Sequence, residues 1–270
     1  MPLAVRWAMN RIAVCWATAL ALVSLGGCSY QLVSPPARIV NFESAKTAAP
    51  GETVAGLHGA AYSAIFDGGA YVANAAVRRG VAEDLELDAD ASWAHVDYDG
   101  FPDLDRNIYA ARVGAKLSNR GGWAALFGGV GGGYAPAAGG FSALDVGGAL
   151  SYPNCYLVPF ADAFVFGSVP LAAKQVDFRN ADGTVQATDK AEATYGGGLG
   201  AGVEIPLTHD RCRAGLTSPR LQLGGGVDLL VRSDGPVTTT TMSDGTTTTQ
   251  TRGGRHGLFG LAVGVEIPFD

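Results

Sequence analysis

The four histidines and four cysteines are the chain's most chemically versatile side chains. Of His58, His95, His209 and His256, His95 has the densest acidic surroundings, because "HVDYDGFPDLD" places Asp97 and Asp99 just beyond it. An imidazole oriented by a carboxylate is what a general base requires. Yet His95 shares a period-two face with Leu85, Leu87, Ala89, Ala91 and Trp93, whereas a base must look into the space its substrate fills. It is read as a rim histidine, and no catalytic residue is assigned. The same loop gathers Asp97, Asp99, Asp103 and Asp105. Carboxylates bind calcium through fixed ligand spacing, and the EF-hand pattern is missing, so the loop reads as solvated. The run "GGVGGG" opens no helix and so fails the context a phosphate cradle needs. No cofactor and no metal site is expected.

The elements that hold these residues come from an unusual composition: 47% hydrophobic, 39 glycines and only 16% charged. Lys and Arg number 19 against 25 Asp and Glu, for a formal net charge of −6, which disfavours nucleic acid as a partner. Beyond residue 28 no apolar run reaches spanning-helix length. Period two dominates instead. Gly257, Phe259, Leu261, Val263, Val265, Ile267 and Phe269 oppose Leu258, Gly260, Ala262, Gly264 and Glu266. Tyr195, Leu199, Ala201, Val203 and Ile205 oppose Gly196, Gly198, Gly200, Gly202 and Glu204. Leu221, Leu223, Val227, Leu229 and Val231 oppose Arg220, Gln222, Gly224, Gly226, Asp228 and Arg232, with Leu230 the exception. These are half-buried strands.

The polar face decides which side is inside. A soluble barrel would cover its exterior with Lys, Glu and Thr, but here the polar face is crowded with glycine. Glycine weakens a water-facing strand, whereas the interior of a narrow barrel needs small residues between a few large ones. The apolar face is therefore turned to lipid. Glu86, Asp88, Asp90, Asp145, Glu204, Asp228 and Glu266 then face Arg112, Lys116, Arg220 and Arg232 across a lumen, where each charge needs a partner.

Ten strands are expected, near 52–65, 69–79, 83–97, 106–118, 122–134, 139–151, 155–168, 191–206, 219–232 and 255–268. Short turns at 80–83, 119–122 and 153–155 and a moderate one at 207–218 contrast with long connections at 97–105, about 168–190 and 233–254. In "PVTTTTMSDGTTTTQTR", two threonine tracts flank a turn at Ser243-Asp244-Gly245, and residues 174–190 repeat that form around Asp182-Gly183. Both read as hairpins projecting past the membrane, with edges and hydroxyls open to an extracellular partner.

Residues 51–270 resemble a small bacterial outer-membrane β-barrel: all-β, closed, up-and-down and antiparallel, with about ten transmembrane strands. The last strand, "GLFGLAVGVEIPFD", is similar to the signal read by the barrel assembly machinery, with Phe269 in the terminal aromatic role. The leader resembles that of a lipoprotein. A basic stretch with Arg6 and Arg11 precedes an apolar segment from Ile12 to Leu25, and Leu25-Gly26-Gly27-Cys28 looks like a lipobox. The resemblance implies a signal peptide over 1–27, an acylated (palmitate-bearing) Cys28, and export to the outer membrane through Ser29. Residues 28–50 carry no periodicity and read as a flexible tether. An even strand number puts both barrel ends on the short-turn, periplasmic side of a Gram-negative outer membrane, where the anchor is also expected.

With Cys15 lost in the leader and Cys28 acylated, Cys155 and Cys212 remain in an oxidising compartment, in turns that leave neighbouring strands side by side. A Cys155–Cys212 disulfide is expected. The expected role is structural or surface display, without catalysis. A narrow passive pore is the alternative, and an outer-membrane enzyme stands third.

Overall fold

The computed structural model describes residues 32–269 except 41, 65–68, 98–106, 137, 155, 180–182, 208–217, 234–236, 242–246 and 252–254, with backbone alone at 64, 179, 186, 187, 237–241, 247–251, 255 and 256. The strands are β1 (Thr53–Ala64), β2 (Gly69–Ala82), β3 (Leu85–Asp97), β4 (Asn107–Ser118), β5 (Ala124–Ala135), β6 (Gly139–Ser151), β7 (Val158–Pro170), β8 (Gln175–Arg179), β9 (Val185–Lys190), β10 (Thr194–Pro206), β11 (Arg220–Arg232), β12 (Val237–Thr241), β13 (Thr247–Thr251) and β14 (Arg255–Phe269). Ten of them close an antiparallel barrel in the order β1-β14-β11-β10-β7-β6-β5-β4-β3-β2. The seam pairs β1 with β14 from Thr53↔Phe269 to Ala64↔Leu258, which leaves the sheet without an edge. β8–β9 and β12–β13 form separate two-stranded hairpins within the two longest connections.

The two mouths differ. β2–β3, β4–β5, β6–β7 and β10–β11 are joined at one end, the turn mouth, where β1 starts and β14 finishes. Both extra hairpins rise from the other, the hairpin mouth. Asparagines shape the turns locally. Asn119 Oδ1 accepts from the N–H groups of Trp123 (2.9 Å) and Ala124 (3.3 Å), and Gly122 completes that turn at φ 65°. Asn154 Oδ1 accepts from Tyr156 N (3.0 Å) and Leu157 N (2.9 Å). This turn delays β7 to Val158, three residues later than alternation placed it.

The barrel wall is apolar outside. Leu57, Val113, Leu126, Val130, Leu144, Val165 and Leu261 are all exposed. Aromatic rings frame this belt. Trp93, Tyr109 and Tyr134 stand at one level on adjacent strands near the hairpin mouth, with Tyr71 and Tyr195 also exposed. Trp123, Tyr152, Tyr156 and Phe269 are exposed toward the turn mouth, Trp123 meeting Tyr152 edge to face at 5.4 Å. An aliphatic band between aromatic girdles is the exterior of a transmembrane barrel.

Large and small residues interleave inside. β7 turns Phe160, Phe164 and Phe166 inward, where they fill the space beside Gly202, Gly198 and Gly196 of β10. The larger surprise is the stretch expected to be a tether. Residues 32–50 do not hang outside the barrel; they run through it. Leu32 is buried with Phe141, Phe178 and Ala191 at the hairpin mouth, and Ala37, Val40, Ala45 and Ala48 are buried in turn along the lumen. Pro50 bridges to Gly80 at the turn mouth. An amino-terminal end beside the short turns was expected, and the described segment instead begins at the opposite mouth.

Candidate functional site: a charged lumen threaded by the chain

The threaded segment lacks strand partners for most of its length, so its backbone groups must be satisfied by side chains of the wall. Near the hairpin mouth, Leu32 N donates to Asp189 Oδ2 (2.8 Å) and Ser34 N to Thr194 Oγ1 (3.0 Å), while the hydroxyls of Ser34 and Ser168 share a 2.7 Å hydrogen bond. Midway, Tyr62 OH donates to Ile39 O (3.0 Å) and Glu43 N to Asp162 Oδ2 (3.2 Å). Farther down, Ala45 N donates to Ser151 Oγ (2.8 Å), Ser118 Oγ to Ala45 O (2.6 Å) and Ala48 N to Glu86 Oε2 (2.7 Å). At the turn mouth Gly51 N donates to Gly80 O (2.8 Å). The contacts follow the sequence from one mouth to the other.

Two charges on the segment enter the wall's network. Arg38 meets Glu43 at 2.9 Å and Asp88 at 3.3 Å, with its guanidinium over the Phe127 ring. Glu43 meets Lys116 at 3.0 Å, and Lys116 reaches Glu86 at 3.1 Å. Arg112 clamps Asp145 through two hydrogen bonds (2.6 and 2.8 Å), pairs with Asp88 and lies 3.6 Å from Asp90. Arg220 pairs with Glu204 at 2.8 Å, and Gln222 adds a bond to the same carboxylate at 3.2 Å. Toward the hairpin mouth Arg232 pairs with Asp189 at 2.5 Å. Asp228, half-buried on β11, occupies space left open by Gly198. Glu266 is buried between Arg78, with which it pairs, and His58 at 3.9 Å.

Arg78, Asp162, Arg38 and Glu43 belong to this network, and the period-two reading did not include them. Arg78 also lies 3.6 Å from Glu86. Its face of β2 was obscured because "AVRRGV" sets Arg79 outward beside it. His95 stacks on Trp93 at the outer girdle, with ring centroids 6.3 Å apart, and shares the Asn107 side chain with it (3.1 and 3.3 Å). Cys28, Cys155, Cys212, Asp99, Asp103 and Asp105 lie outside the described residues.

The lumen is thereby filled. Gly131 and Gly224 show how closely: a Cβ at the first would lie 2.8 Å from Ala37 Cβ, and one at the second 2.4 Å from the Phe42 ring. A cavity of about 40 Å³ remains among Arg38, Glu43, His58, Asn74, Arg78 and Asp90. That is room for about three waters. Arg38, Arg78, Arg112, Lys116, Arg220 and Arg232 each meet a carboxylate, which offsets the desolvation of these cations, whereas Asp228 enters none of these ion pairs.

No family model and no curated protein matches the sequence. Among solved structures, the chain is similar to Neisserial surface protein A, with 12% identity, 81% of this chain and 96% of that one covered, and a TM-score of 0.36. It is also similar to the N-terminal β-barrel domain of Pseudomonas aeruginosa OprF, with 10% identity, coverage of 81% and 98%, and a TM-score of 0.32. The beta domain of the Bordetella autotransporter BrkA gives 13% identity, coverage of 82% and 100%, and a TM-score of 0.37. Likenesses this distant carry no argument about role. The barrel rests on its own strand register.

Proposed function

We propose that this protein is a Gram-negative outer-membrane barrel held shut by its own amino-terminal segment, serving a structural and surface-display role without catalysis. The observation that carries the reading is Glu43 of the segment, bound at once by Arg38 and by Lys116 of the wall in the turn-mouth half of the lumen. A pore that conducts solute keeps water along its axis, and here that axis holds protein. The aliphatic belt between aromatic girdles supports a position in the bilayer, and the contrast between turn mouth and hairpin mouth supports an outward-facing hairpin side. Acylation of Cys28 supplies a second attachment, and Phe269 on β14 is the contact for the barrel assembly machinery.

Display falls to the two hairpins, over 168–190 and 233–254. β8–β9 is seated on the mouth rather than projecting freely, because Phe178 is buried beside Leu32 and Arg232 holds Asp189. β12 lies beside β9. The paired threonine tracts of β12–β13 are thus the part offered to an extracellular partner.

Planar-bilayer recording tests the reading. The intact protein is expected to give no steady conductance. Arg38→Glu combined with Glu43→Lys places like charges against Asp88 and Lys116 while leaving every strand residue unchanged, and it is expected to produce conductance steps. Deletion of residues 32–50 should do the same. Steady conductance from the intact protein would overturn the closed-barrel assignment.

A further inference from the structure

We infer that the chain passes through its own barrel from the cell surface inward, so that the mature amino terminus, with the acyl group on Cys28, stands on the outer face of the membrane beside the hairpins. This rests on the proposed outer-membrane reading for which mouth faces out and for acylation. The direction of threading rests on contacts alone.

Those contacts run one way. Leu32 and Val33 are fixed at the hairpin mouth by Asp189 and by a bridge to Glu192, and Pro50 is fixed at the turn mouth by Gly80. Between them the partners descend the wall in sequence: Ser168 and Thr194, then Tyr62 and Asp162, then Ser151 and Ser118, then Glu86. Cys28 precedes Leu32 by four residues. Four residues reach at most ~14 Å, and the hydrocarbon core is ~30 Å thick. An acyl chain on Cys28 therefore cannot return to the turn-mouth leaflet while residues 32–50 occupy the lumen. It must enter the leaflet at the hairpin mouth, and the segment becomes a strap tied to the lipid outside and to β1 inside.

Single cysteines introduced with Cys155→Ser and Cys212→Ser test this with a membrane-impermeant maleimide. Tyr30→Cys reports the amino-terminal end, Ser243→Cys the β12–β13 turn and Asp270→Cys the turn mouth. Expected is labelling of Tyr30→Cys and Ser243→Cys in intact cells, and of Asp270→Cys only after permeabilisation. Labelling of Ser243→Cys without Tyr30→Cys overturns the surface amino terminus and leaves the barrel orientation standing. Labelling of Asp270→Cys but not Ser243→Cys in intact cells overturns the orientation, and the surface placement with it. Threading itself is read by Ser34→Cys with Ser168→Cys, whose parent hydroxyls are 2.7 Å apart. Oxidation is expected to shift this double variant on a non-reducing gel in a barrel that still shows heat-modifiable migration. No cross-link in such a barrel overturns the threading.

Discussion

Glu43 and Lys116 lie 3.0 Å apart, one on the threaded segment and the other on β4, and Lys116 is almost wholly buried. Because Lys116 also meets Glu86 of β3 at 3.1 Å, it is shared between plug and wall. The segment is thus an integral part of the lumen's charge balance. Removing it would leave Lys116 with one carboxylate and Asp88 without Arg38.

Breaking this pair from one side should cost more than removing it whole. Lys116→Met leaves Glu43 and Glu86 short of a cation in a closed interior, and loss of one partner of a buried pair costs ~3–5 kcal/mol. Glu43→Gln added to Lys116→Met should recover part of that loss, because one stranded carboxylate is gone. Urea unfolding in detergent micelles, followed by heat-modifiable migration, measures both. Equal stability of the single and double variants would refute the pairing.

The outer belt predicts a depth dependence. Val130, midway along β5, is exposed between the girdles, and Tyr134 of the same strand lies in the hairpin-side girdle. Val130→Arg should destabilise by ~2–4 kcal/mol and Tyr134→Arg by about 0–1 kcal/mol in a bilayer, since cost falls toward the interface. Folding into phospholipid vesicles at graded denaturant distinguishes them. Similar penalties at both positions would place the membrane elsewhere.

All ten barrel strands were legible because each alternates between lipid and lumen, and period two reports nothing else. The charges Glu86, Arg112, Lys116, Glu204, Arg220 and Glu266 stood out for the same reason: a carboxylate or guanidinium opposite Leu and Val has one dry face to avoid. Residues 32–50 were illegible for a matching reason. A segment surrounded on all sides by wall has no second face, so it shows no period, and "SPPARIVNFESAKTAAPG" reads as a linker. The available signal was its apolar content together with Arg38 and Glu43, out of place in a solvated tether. β7 turns its larger side chains, Phe160, Phe164 and Phe166, inward against glycines of β10, where their apolar bulk alone points to lipid. Composition of one strand cannot show that its neighbour has made room.

Fit inside the barrel can be tested with a matched pair of glycines. A Cβ at Gly224 meets the Phe42 ring at 2.4 Å and Ala201 O at 2.9 Å, whereas one at Gly167 meets nothing within 4 Å. Gly224→Ala should destabilise by ~1–3 kcal/mol through overpacking, and Gly167→Ala should be neutral. Thermal unfolding of the two variants side by side provides the check. A neutral Gly224→Ala would mean that Phe42 is not held in the lumen.

Acylation is checked separately from threading. Cys28→Ala should abolish incorporation of labelled palmitate while the barrel still fractionates with the outer membrane, because its apolar belt holds it there without the lipid. Recovery of Cys28→Ala as a soluble periplasmic protein would defeat the barrel assignment, and persistence of label would defeat the acylation site.

The remaining two cysteines tie redox chemistry to topology. β7 and β10 are paired, with Val158 opposite Glu204, so the connections 152–157 and 207–219 leave adjacent strands at the turn mouth. Cys155 and Cys212 fall within those connections. A disulfide is expected between them in an oxidising compartment, and by chain-entropy reasoning it is worth about 4 kcal/mol for a loop of this length. Non-reducing electrophoresis of the denatured protein should show a compact band that slows on reduction, and Cys155→Ser or Cys212→Ser should each abolish the difference. Free-thiol titration of the unfolded, acylated protein should then find no reactive thiol before reduction and two after it. Two thiols before reduction would rule the bridge out, and the turn mouth would be held by its asparagine turns and by backbone bonds such as Gly51–Gly80 without a covalent cross-link.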